Sequence, residues 1–296
     1  MYAYGVVASA TLHRIQGPFP RADGYGEVTQ SFPFAGGEAA NSAIVLSRLG
    51  QRVTIDGTWV GATSGGISAV DILKRSGVDT SSLKILRKDA GLWEIVISDG
   101  PSRTVFGNYG MRMKSRIWNA PSKARMTQSR IICLDPALGQ ESILAGRMAR
   151  TLNIPYVTLD CPYEAELCWE AAALIVSHDF LSWKYPKTGA ASLFSRYRKR
   201  VRGLVVFTFG SGRIHYARAG GPEQTCYPYL VRPIDTTGAG DAFRAGIVFG
   251  LLKHWPDHQT IRYAAAVAAM VCTTAPAAVH GPRHADVLAF LRKHSC

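Results

Sequence analysis

Short apolar runs of strand length alternate with longer helical patterns through most of this 296-residue chain, and that rhythm constrains the fold more than any other feature. Val53 to Val60 ends in Gly61 and leads to a helical pattern, Ile67 to Ser76, stopped by Gly77. Ile131 to Leu134, Gln140 to Leu152 and Tyr156 to Asp160 repeat the alternation, and Leu174 to Ser177 and Leu204 to Phe209 add two more strands. Runs without polar alternation suit strands covered on both faces, as parallel strands joined by helices are. The expectation is an α/β fold: a doubly wound, mostly parallel sheet flanked by helices, with right-handed connections, in one domain over residues 1–296. Tyr4 to Ala8 reads as the first strand. Ala39 to Leu49, closed by Gly50, reads as the first helix, and Phe243 to Lys253, Ile261 to Cys272 and Ala285 to Lys293 as the last three. The rhythm breaks twice. Glu27 to Phe34 alternates like an edge strand, and Trp93 to Ile97 with Arg103 to Phe106 forms a hairpin pattern around the turn residues Ser98 to Ser102. Met111 to Arg130 reads as a connection with a short helix.

Composition narrows the function classes. With 47% hydrophobic and 19% charged residues the chain can bury a large core. No run of eighteen apolar residues appears and the start lacks a basic export signal, so the chain is expected to be soluble and cytoplasmic, with no membrane partner. The six cysteines, Cys296 among them, form no C-x-x-C pair and read as reduced thiols. A net charge of +13 favours anionic partners without specifying one. Its densest run, Arg196 to Arg202, reads as a basic helix end before Gly203 rather than a nucleic-acid surface, so no specific nucleic-acid partner is expected. No phosphate-binding loop of the G-x-x-x-x-G-K-[ST] type and no dinucleotide fingerprint occurs.

The most informative stretch is Asp235-Thr236-Thr237-Gly238-Ala239-Gly240-Asp241-Ala242-Phe243, which opens a long apolar helix. Two glycines around one alanine allow a tight turn whose amides converge at a helix start, where unpaired N–H groups and the positive dipole end attract anions. Asp241 follows at the rim, placed to take a proton from a hydroxyl that attacks a bound phosphoryl group. By pattern alone this is equally an ordinary strand-to-helix turn with a first-turn acid. Upstream, Gly36-Gly37 precedes the first helix and exposes backbone near Asn41, whose amide either meets a substrate hydroxyl or serves as a cap.

Asp235 to Phe243 resembles the C-terminal signature of the ribokinase-like (PfkB) carbohydrate kinases, and Gly36-Gly37-Glu38-Ala39-Ala40-Asn41 resembles their N-terminal one. The resemblance implies ATP-dependent phosphorylation of a hydroxyl on a sugar or related small molecule. Asp241 would be the base, Gly238, Ala239 and Gly240 the anion hole, and Gly36, Gly37 and Asn41 the acceptor contacts. Thr208, Gly210, Thr237, Ala275 and Ala278 fall where the family lines its nucleotide. Magnesium, and in some members a monovalent cation such as K+, is implied, together with a small β-sheet lid from segments around 13–34 and 91–107 and a homodimer through that lid. Two departures stand out. The acid that usually follows the first strand is replaced at its matching place by His13, and the N-x-x-E pattern that helps hold magnesium is replaced by Ser177-His178-Asp179-Phe180, which leaves the metal ligands unassigned among Asp135, Asp160 and Asp179. A nucleoside kinase of the same fold and a non-catalytic sugar or nucleotide sensor are the alternatives.

Overall fold

The computed structural model describes residues 1–294, and Cys296 lies outside them. From the N-terminus, β1 (Tyr2–Gly5) enters the centre of the molecule, β2 (Ala8–Ile15) leaves it, and β3 (Val28–Gly36) returns antiparallel into α1 (Glu38–Arg48). Then follow β4 (Thr54–Gly57), β5 (Val60–Gly61), α2 (Ser64–Arg75), β6 (Ile85–Leu86) and the hairpin of β7 (Trp93–Ser98) and β8 (Arg103–Gly107). Two short helices, α3 (Tyr109–Arg112) and α4 (Lys123–Thr127), lead to β9 (Ile132–Leu134), α5 (Gln140–Thr151), β10 (Tyr156–Leu159), α6 (Glu166–Trp169) and β11 (Ala173–Ser177). The chain continues through α7 (His178–Lys184), α8 (Ala190–Arg200), β12 (Leu204–Thr208), β13 (Ile214–Arg218) and β14 (Gln224–Cys226). It closes with α9 (Ala239–Leu252), α10 (Asp257–Val271) and α11 (His284–Lys293).

The large sheet has the order β14-β13-β12-β11-β10-β9-β1-β4, parallel except for β13 and β14 at one edge. Its side chains alternate between two buried faces. Ala3, Ile55, Cys133, Val157 and Val206 pack under α1, α9 and α10, while Tyr4, Leu134, Leu174, Val205 and Phe207 pack under α5 and α8. Both faces are covered, which is why these strands read as continuous apolar runs. The doubly wound expectation therefore holds. The chain leaves β1 for β4 on one side and reaches β9 on the other, so the strand order reverses at β1, and the crevice beyond the carboxyl ends there is where such sheets bind ligands.

A second sheet of order β3-β2-β7-β8 stands apart, with β2 and β7 parallel and the other two pairs antiparallel. It is made of the two segments expected as a lid but begins earlier, at Ala8. The single apolar run read at Tyr4 to Ala8 therefore spans two strands of different sheets, since hydropathy does not register a change of sheet. Val53 to Val60 likewise divides after Gly57. Gly57 has φ 134°, and a Cβ there would lie 1.9 Å from the Gly5 carbonyl oxygen, so neither conformation nor space admits a side chain. The inner side of the small sheet carries Ala10, Leu12, Phe34 and Val96, which pack with Ala275 and Val279. Among the described residues no helix is long and apolar enough to cross a membrane. The basic run at the end of α8 is tied locally: Arg202 pairs with Glu170, Arg196 donates to the Tyr163 hydroxyl and Arg198 bonds the Gly221 carbonyl.

Candidate active site

Helix α9 starts at the switch point, and its first turn organises the site. Gly238 sits just before it in a left-handed conformation (φ 74°, ψ 8°), and a Cβ there would come within 3.2 Å of both the Asn41 amide and Ala278. Conformation and crowding both call for glycine. The Ala239 amide turns back to the Thr236 carbonyl and the Ala242 amide to that of Gly238, while the Thr237 amide donates to Asp235 Oδ1 at 2.9 Å. The Gly240 and Asp241 amides have no such partner among the described residues, and a Cβ on Gly240 would meet nothing within 4 Å. Open space thus faces unpaired donors at a helix N-terminus, which is the condition for binding an anion.

Asp241 is buried, with 8% of its surface exposed, and accepts a hydrogen bond from Asn41 Nδ2 at 2.9 Å. Its other oxygen lies 3.8 Å from Arg244 Nη2. Burial is the main cause that pushes its carboxyl up to about 7, and Asp135 adds to this while Arg244 and Asn41 oppose it. Asn41 Oδ1 is itself buried without a partner, as is Thr237 Oγ1. The two signatures meet here, since Asn41 and Asp241 are 200 residues apart in the chain.

Arg244, one helical turn after Asp241, is fully buried and ties the site together. It donates from Nη1 to Asp135 Oδ1 at 2.5 Å, from Nη2 to the Glu38 carbonyl at 2.6 Å, and from Nε and Nη2 to Ser42 Oγ at 3.0 and 2.8 Å. Asp135 Oδ2 accepts the Val6 amide at 2.8 Å, so both of its oxygens are occupied. Glu38 is pushed up to about 8 by burial and by the nearby charges of Asp135 and Asp241. From the small sheet, Glu94 reaches the same corner: it accepts from Tyr109 Oη at 2.8 Å, and a Cβ on Gly36 would lie 2.1 Å from its Oε1. Arg103 of the hairpin spans the gap from the small sheet to the Thr236 carbonyl at 3.4 Å.

The residues expected from the sequence divide as follows. Gly36, Gly37, Asn41, Thr237, Gly238, Ala239, Gly240 and Asp241 are brought together, with Ala278 against Gly238. Thr208 ends β12 on the same edge of the sheet, paired with Ser177 of β11, and Gly210 follows at φ 60° with open space around it. Ala275 packs against the small sheet. His13 is a correction. Its Nδ1 bonds Ser31 Oγ at 2.8 Å, and along β2 it shares the face of Ser9 and Thr11, opposite that of Ala10 and Leu12. The strand pleat turns it away from the corner that Glu94 enters. The strand-end acids are corrected too, because neither acts as a helix cap. Asp135 is the partner of Arg244, and Asp160 accepts both the amide and the hydroxyl of Ser177. Asp179 is 90% exposed. No group of three or more potential metal ligands occurs among the described residues, so the donor set does not fit a protein-built magnesium cage, and no step below runs through the metal. Arg244 and Glu94 escaped the sequence reading. The i, i+3 spacing of Asp241 and Arg244 was an available signal for the first; the second is placed by strand pairing alone.

The fold and this corner define a carbohydrate kinase, a phosphotransferase with an alcohol acceptor: residues 27–280 match the model of the pfkB family carbohydrate kinases, and the chain belongs to that family. Similar proteins give the comparison detail. A ribokinase of Haemophilus influenzae is 26% identical over 94% of each chain. The structure of Arabidopsis thaliana ribokinase complexed with ribose and ATP superposes with a TM-score of 0.81 at 18% identity over 98% of each chain. A nucleoside kinase of Methanocaldococcus jannaschii gives 0.79 at 18% identity, over 99% of this chain and 98% of that one.

Proposed function

We propose that the chain transfers the terminal phosphoryl group of ATP to a hydroxyl of a sugar, with Asp241 as the base and the first amides of α9 as the anion hole. The carrying observation is the contact of Asn41 with Asp241 beside unpaired helix N-terminal amides. The acceptor hydroxyl enters between Asp241 and Asn41, whose unpartnered Oδ1 accepts from a neighbouring hydroxyl. A new bond forms between the acceptor oxygen and the phosphorus, the bond from that phosphorus to the bridging oxygen breaks, ADP departs, and the hydroxyl proton goes to Asp241. The Gly240 and Asp241 amides meet the charge on the equatorial oxygens, where fixed donors in a dry site are most effective. The small sheet, tethered by Arg103, keeps water from competing with the acceptor. Magnesium enters in this reading bonded to the nucleotide's phosphates and water.

A panel of neutral sugars, sugar acids and nucleosides with ATP and magnesium, read as ADP formed, tests this. ADP release driven by a sugar supports it, release driven only by nucleosides moves the assignment to a nucleoside kinase, and ligand-induced melting shifts without ADP overturn it. The pH profile is a second test. A base must be ionised, so kcat/KM is expected to fall about tenfold per unit as pH drops below about 7, the value burial imposes on Asp241. A rate still flat at pH 5 would remove Asp241 from that role.

A further inference from the structure

We propose that Glu94 sets acceptor specificity: from the inner face of the small sheet it accepts hydroxyl protons of a neutral polyol, and its charge turns away acceptors that bear a carboxylate or phosphate of their own. This rests on the acceptor reading above and extends it to a substrate class.

The geometry begins with register. Glu94 of β7 stands directly opposite Ala10 of β2, on the face where β3 contributes Gly36. A Cβ on Gly36 would lie 2.1 Å from Glu94 Oε1 and 2.9 Å from the Ala10 Cβ, so the carboxylate extends across two small residues towards the turn that opens α1. There it accepts the Gly37 amide, and the Tyr109 hydroxyl holds its other side at 2.8 Å. A carboxylate can accept about four hydrogen bonds, so these two leave room for donors brought by a ligand.

Its surroundings favour neutral donors over anions. Among the described residues Glu94 forms no ion pair, and burial raises its carboxyl above the usual range, with Arg103 opposing. The guanidinium of Arg103 donates to the Thr236 carbonyl, and that of Arg244 is held by Asp135 and Ser42. Glu38 and Asp241 are close enough, with Glu94, to raise the Tyr109 hydroxyl. Asn41 Oδ1, buried at the same helix start, has no partner. Two sets of acceptor oxygens beside three carboxyl groups ask for hydroxyl protons, and an anionic group offers none.

The test uses the whole chain with ATP and magnesium, and compares wild type with Glu94→Gln and Tyr109→Phe. Two quantities are read on matched neutral sugars and sugar acids: ADP formation and calorimetric acceptor binding. Glu94→Gln is expected to raise KM and the dissociation constant for the best neutral sugar by roughly 10- to 100-fold, the effect of losing hydrogen bonds to a charged group, with kcat within about threefold. It should also shrink the preference for neutral sugar over the matching acid by about tenfold or more. Tyr109→Phe, which keeps the charge, is expected to weaken binding while keeping that preference. Neutral-sugar binding unchanged within about twofold in Glu94→Gln, or a wild type that prefers the acid, would overturn the assignment. Binding without ADP formation would sink the kinase reading while the binding comparison still judges Glu94.

Discussion

Asp241→Asn is expected to lower kcat by about 10²- to 10⁴-fold while nucleotide affinity stays within a few-fold, because the substitution removes a proton acceptor and little else. The side chains are nearly isosteric, Asn41 can still pair with the new amide, and the helix amides that face the phosphates are backbone groups. Stability gives a control with a defined sign. Burial raises the Asp241 carboxyl from an ordinary 3.8 to about 7, so between those values the folded state binds protons that the unfolded state does not. Stability attributable to this group therefore falls as pH rises through that window. Asp241→Asn should melt higher than wild type at pH 8 and lose that advantage below about pH 4. Turnover close to wild type would refute the base assignment, whereas a lower melting temperature at pH 8 would show that the loss of rate came from misfolding.

Arg244→Ala is expected to be the most damaging single change to stability, at about 3–5 kcal/mol, because it strands the fully buried Asp135 carboxylate without its cation. The loss should appear as a lower urea midpoint with an unchanged slope. A companion variant, Arg244→Met with Asp135→Asn, removes both charges and should recover much of that loss, as buried ion pairs replaced together often do. Arg244 also holds the Asp241 carboxyl down. In any folded variant without it, the acid limb of the pH profile should therefore move to higher pH. A loss below about 1 kcal/mol for Arg244→Ala would mean that water reaches the pair and that the site is wetter than its burial implies.

The large sheet was legible because each strand is covered on both sides and each crossover helix ends at a glycine or a change of texture. The places where that legibility fails have physical causes. Nothing in the apolar run at Tyr4 to Ala8 marks the passage from one sheet to another at Val6 and Val7, since both segments are buried. Asn41 and Asp241 could be singled out because their glycine-rich turns are local. Asp135 and Asp160 could not be told from caps, since a strand-end acid looks the same whether it meets an amide, a hydroxyl or a guanidinium. His13 was misplaced for a related reason. A strand's residues alternate faces, and a one-residue difference in where the strand begins reverses the assignment. Glu94 is the clearest case, because only the parallel pairing of β2 with β7 brings it to Ala10 and Gly36.

Helix α9 carries two further glycines, and neither serves the chemistry. A Cβ on Gly246 would lie 2.4 Å from the Ala264 backbone of α10, and one on Gly250 would lie 2.6 Å from Thr260. The two helices touch almost backbone to backbone, with the stacked rings of Phe249 and Tyr263 beside them. Rigid shafts of this kind cannot slide without collision. The end of the molecule that grips phosphate is an anvil, and whatever swings during a turnover cycle has to be the small sheet that comes down upon it.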